Sequence, residues 1–205
     1  MKDNSTLIAI VLDRSGSMNS VKTDVIGGFN KLIEAHKQLP GECLVTLVQF
    51  DDQYELNYNA LPITEVPELS EKTYEPRGWT RLLDAIGRVI NDVGAKLAAK
   101  PEHERPSKVL LVVMTDGHEN SSKEFNARRV RDMIKHQRDK YSWEFAFHGC
   151  DESALNDAVG LYGFQAQNTI KNVGGSSGTQ SAFRDATICS TNYRSMGSYS
   201  VTPSK

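Results

Sequence analysis

Two short apolar runs constrain this chain more than any other feature. Leu7 to Leu12 and Val109 to Met114 are uninterrupted, bounded by turn-forming residues, and each leads into an aspartate. Runs of this length and composition predict strands buried on both faces, as in parallel sheets covered by helices. The first run opens into Asp13-Arg14-Ser15-Gly16-Ser17 and the second into Thr115-Asp116-Gly117. Both carboxylates are therefore expected at the carboxyl ends of parallel strands, where open α/β sheets build their sites. Two acids and two hydroxyls converging there make a hard-oxygen site, suited to Mg2+ or Mn2+.

At 205 residues the chain is long enough for one well-buried α/β domain with a short tail. A formal net charge of −2 supplies no bulk attraction for nucleic acid or an anionic membrane, and neither is expected as a partner. The longest apolar stretches fall far short of a membrane span. The polar start from Met1 to Thr6 does not read as a secretory signal, so a cytoplasmic setting is expected. Cys43, Cys150 and Cys189 are odd in number and lack metal-ligand spacing. Reduced thiols are the expected state, with a bridge between two of them as the alternative.

Along the chain, Val21, Val25, Phe29, Leu32, Ile33 and His36 recur at helical spacing, and Pro40-Gly41 stops that helix. Cys43 to Phe50 predicts a second strand, hairpinned to an edge strand over Tyr54 to Leu61. Residues 62–78 read mostly as loop. Leu82, Leu83, Ile86, Val89, Ile90, Val93 and Leu97 give the clearest amphipathic helix. Ser121 with Glu124 predicts a capping box for a helix reaching Tyr141. A strand over Trp143 to His148, a short helix over Asp151 to Val159 and a last strand within Gly163 to Ile170 follow. Gly174 to Gly178 reads as a hinge before a short final helix, Ser181 to Cys189.

Asp13, Ser15 and Ser17 can turn three oxygens toward one point, with Gly16 letting the backbone bend. The same triplet also makes an ordinary turn and helix N-cap, and alone it favours neither reading. Gly78-Trp79-Thr80 stands just before the strongest helix, where Thr80 is either its N-cap or part of the site. Together the fragments read Asp-x-Ser-x-Ser, Gly-x-Thr-x-Leu and Thr-Asp-Gly. This pattern resembles the von Willebrand factor A (vWA) domain family of intracellular bacterial or phage type. In that family the three fragments form a metal-ion-dependent adhesion site, or MIDAS. The resemblance covers residues 5–190 and leaves 191–205 as a polar, flexible tail.

The resemblance implies a three-layer, doubly wound, Rossmann-like α/β fold. Its central sheet is mostly parallel with one antiparallel edge strand, and helices cover both faces. It also implies that Asp13, Ser15, Ser17, Thr80 and Asp116 hold Mg2+ or Mn2+, partly through water. An ion with few direct anionic ligands keeps an exchangeable position, which an Asp or Glu of a partner protein can take. Intracellular relatives work in multiprotein complexes, some beside AAA+ ATPases, and the last helix of some relatives moves with the site.

Around this set, Trp79, His118 and Glu119 are candidates for a partner-binding rim. Asp51 and Asp52 read as a solvated turn, with a supporting place around the metal as the alternative. The basic residues between Lys123 and Lys140 alternate with Glu124, Asp132 and Asp139 and read as a solvated helix face. Two other functions compete with adhesion. One is a Mg2+-dependent phosphohydrolase or phosphotransferase using Asp13 as nucleophile, although Ser15 stands where such enzymes place a second acid. The other is a metal-free structural subunit. No Walker loop, nucleophile elbow or Ser-His-Asp arrangement supports an enzyme.

Overall fold

In the computed structural model, which describes residues 1–199, six strands form one sheet. They are β1 (Lys2–Asp13), β2 (Glu42–Phe50), β3 (Tyr54–Pro62), β4 (Pro106–Met114), β5 (Glu144–Gly149) and β6 (Thr169–Lys171). Their order across the sheet is β3-β2-β1-β4-β5-β6. Every neighbouring pair is parallel except β2 with β3, the antiparallel hairpin at one edge. Among the described residues five α-helices complete the fold: α1 (Lys22–Lys37), α2 (Leu82–Ala98), α3 (Ala127–Tyr141), α4 (Glu152–Asp157) and α5 (Ser176–Met196).

β1 and β4 lie side by side at the centre because both runs are apolar on both faces. In β1, Leu7, Ala9 and Val11 pack with α2 and α3, whereas Ile8, Ile10 and Leu12 pack with α1 and α5. That alternation makes three layers and leaves these six residues at 1 % exposure or less. The chain leaves β1 toward β2 on one side and β4 toward β5 on the other. The carboxyl ends of β1 and β4 therefore flank the switch point of the sheet, where a crevice must open.

Several sequence expectations change in detail. The Ser121–Glu124 capping box does not form. α3 starts at Ala127, and Asn126 caps it by accepting from Arg129 N at 2.9 Å. The last strand shrinks to Thr169–Lys171. The final helix is 21 residues long, so 191–196 belong to α5 and Tyr199 beyond it is buried. The flexible tail expected over 191–205 thus begins too early, and its last part, 200–205, lies outside the described residues. All three cysteines are free thiols. Among the described residues, no helix is long and apolar enough to cross a membrane.

Candidate metal centre

All five residues of the sequence pattern meet at the carboxyl edge of β1 and β4. Asp13 ends β1 and is fully buried. Its Oδ1 accepts from Ser15 N at 2.7 Å, and its Oδ2 from Thr115 Oγ1 at 2.5 Å. The carboxylate thus fixes both the turn after β1 and the turn after β4. Ser15 and Ser17 hydroxyls lie 3.1 Å apart, and Ser17 Oγ donates to Asp116 Oδ1 at 2.8 Å. Thr80 is buried before α2, and a Cβ placed on Gly117 would stand 3.8 Å from its hydroxyl oxygen. Thr80 therefore lies against the loop that carries Asp116.

These spacings suit a small divalent ion. Six oxygens around Mg2+ at 2.0–2.1 Å have neighbouring oxygens about 2.9 Å apart. The Ser15–Ser17 and Ser17–Asp116 separations fall on either side of that value. Among the described residues, no group of three or more His, Cys, Asp or Glu side chains is placed to hold a metal. An ion here must rely on hydroxyl oxygens, as the Ser-Ser-Thr set allows. Electrostatics agree in sign. Burial pushes the Asp13 carboxyl up to about 6 against the hydrogen bonds from Thr115 and Ser15, with the charge of Asp116 adding to the rise. Burial also raises Asp116, opposed by Ser17. A cation between them would favour both charged forms.

Residues outside the pattern hold the three loops in place. Asp51, expected in a solvated turn, is fully buried. Its Oδ2 accepts from Arg14 Nε at 3.1 Å and from Arg77 Nε at 3.0 Å, and its backbone oxygen accepts from Arg81 N at 3.0 Å. One carboxylate thereby ties the Asp13 loop to the Thr80 loop. Glu55 completes the cluster with contacts to Arg14 and Arg77 of 2.7 and 2.8 Å. Tyr74, in the segment read as loop, is also fully buried and donates to Asp13 O at 2.6 Å.

A second set of contacts joins the Thr80 loop to the loop after β4. Asn120 Oδ1 accepts from Thr80 N at 3.0 Å, and Asn120 N donates to Thr80 O. Glu119 turns inward rather than standing free on the rim. Its carboxylate accepts from Leu83 N, Ser121 N and Ser122 N, and so caps α2 from another loop. Asp84, on the first turn of α2, returns the contact by accepting from Lys123, Glu124 and Phe125 N, all at 2.9 Å. His118 is exposed and lies 2.8 Å from Asp151. Trp79 is exposed beside Thr80.

Sheet order and connections give an α/β fold of the vWA-like, Rossmann type. Solved structures of proximal thread matrix protein 1 from the mussel byssus share this fold. One matches with a TM-score of 0.58 and 15 % identity over 91 % of this chain. Another, solved with zinc in its MIDAS motif, matches with a TM-score of 0.57 and 15 % identity over 89 % of this chain. The chain spans less than half the length of these structures, 47 % and 44 %. No family model matches the sequence, and no curated protein matches it.

Proposed function

We propose that this chain is a metal-dependent protein-interaction module. Mg2+ or Mn2+, held by the Ser15, Ser17 and Thr80 hydroxyls with Asp13 and Asp116, captures a carboxylate of a partner protein. The observation that carries this reading is the contact chain Ser15–Ser17–Asp116, which joins two loops at the oxygen spacing of an octahedral ion. Ser17 is exposed, so that chain reaches the surface. Asp13 is buried, with each oxygen already accepting a hydrogen bond. With three of the five residues offering neutral hydroxyls, the ion keeps an affinity for an outside carboxylate.

Asp13 has no exposed surface, and Ser15 rather than a second acid follows two residues on, so the nucleophile reading has less support. The free thiols and the absence of a membrane-crossing helix among the described residues are compatible with a cytoplasmic multiprotein complex, the setting we propose.

Mn2+ relaxation of water protons tests capture directly. Adding protein to Mn2+ should enhance relaxation; Asp116→Ala should abolish the enhancement, and acetate should lower it by displacing metal-bound water. Enhancement indifferent to acetate would contradict capture. No enhancement in the wild type would favour the metal-free structural subunit.

A further inference from the structure

Trp79 is 68 % exposed although the backbone around it is held on both sides. Gly78 has φ +67°, and a Cβ there would run into the Asp52 carboxylate, so a side chain there would strain the loop. Gly78 O accepts from Gly16 N at 3.2 Å, and Arg77 N donates to Arg14 O at 2.8 Å. Beyond the tryptophan, Thr80 N is bound to Asn120 Oδ1 and Arg81 N to Asp51 O, each at 3.0 Å. The other tryptophan, Trp143, is 4 % exposed and stacks on Phe145. An indole left in water on a fixed loop is a large apolar surface whose backbone pays little ordering cost on binding.

We propose that Trp79 is the second contact of the captured partner. The partner segment carries a large apolar side chain within one or two residues of the carboxylate, and that side chain lies on the indole. Adjacency sets the scale: Trp79 and Thr80 have α-carbons about 3.8 Å apart, and a partner segment advancing about 3.3 Å per residue can reach both. The charge follows too. A Lys or Arg on the indole would stand beside the divalent ion its neighbour approaches, and like charges repel there. An apolar side chain meets no such opposition. Fixed aromatic residues of this kind dominate interface energies.

This inference rests on the metal-capture reading, and one experiment separates the two. Fluorescein-labelled peptides with a single Glu between glycines, or with Phe or Lys beside that Glu, are titrated by anisotropy in Mn2+ and in EDTA. With Mn2+ the Phe peptide should bind at least about tenfold tighter than the glycine peptide. Trp79→Ala should remove that preference, keep weak metal-dependent binding and melt like the wild type, and Trp79→Phe should restore part of the preference. Equal affinities, a preference for Lys, or a preference that survives Trp79→Ala would overturn the inference and leave metal capture standing. Binding unchanged by EDTA and by Asp116→Ala, or binding of none of the peptides, would overturn both.

Discussion

Asp51 shows how much of the site is held by residues outside the donor set. Its carboxylate lies between Arg14, inside the first metal fragment, and Arg77, just before the second. Removing one partner of a fully buried pair costs about 3 kcal/mol, and here Glu55 still faces both arginines, so the loss stays below that. Asp51→Asn should therefore lower the melting midpoint by a few degrees, at most roughly 6–12 °C for a chain of this size. Calorimetric melting checks this, and an unchanged midpoint would mean that solvent already serves Arg14. Nothing near Asp51 in the sequence announces this role, since Asp51-Asp52 after a strand has the composition of a solvated turn. Its partners come from 37 and 26 positions away. The donors themselves were easier to read, because each follows a strand or precedes a helix at a short, fixed spacing.

At the level of elements, α5 is the one whose extent the sequence concealed. Its Ser, Thr and Gly residues lower helix propensity, and the pattern of apolar residues is sparse. The structure supplies what propensity lacks. Thr179, Thr187, Ser190 and Ser195 hydroxyls each bond the carbonyl four residues back, which satisfies them without strengthening the helix, so packing against α1 holds it. Phe183 packs so closely on α1 that a Cβ on Gly28 would stand 2.4 Å from its ring. Arg194 donates to the carbonyls of His36, Pro40 and Gly41, capping the end of α1 with charge of the favourable sign.

The tie between α1 and α5 includes His36, whose ring meets Ser190 Oγ at 2.8 Å and Arg194 Nη1 at 3.3 Å. Burial, with Arg194 nearby, lowers its pKa from 6.5 to about 3. The unfolded chain therefore binds the proton first. The stability contributed by neutral His36 is complete above pH 6.5 and lost as pH falls toward 3, at up to about 1.4 kcal/mol per pH unit. Urea unfolding of the wild type should steepen in pH dependence through that window, and His36→Gln should flatten it. Parallel profiles for the two proteins would assign the acid sensitivity to other groups.

Across the whole molecule, the strand order carries the functional reading. β1 and β4 are neighbours with connections leaving in opposite directions, so two loops far apart in sequence open onto one crevice. Two apolar runs with aspartates at their ends made a buried parallel sheet and two carboxylates at its carboxyl edge readable. The antiparallel edge came from the hairpin signal after Phe50, the place of Thr80 in the set only from the resemblance, and the strand order from the structure. The central claim is that this crevice holds a divalent ion, and thermal melting with and without Mg2+ tests it most directly. A ligand bound only by the folded state stabilises by about 2.7 kcal/mol at a hundredfold excess over its Kd. The wild-type midpoint should rise saturably with Mg2+ and fall back with EDTA, while Ser17→Ala and Asp116→Ala should not respond. Superimposable wild-type curves in Mg2+ and in EDTA would contradict the metal centre and the capture function built on it.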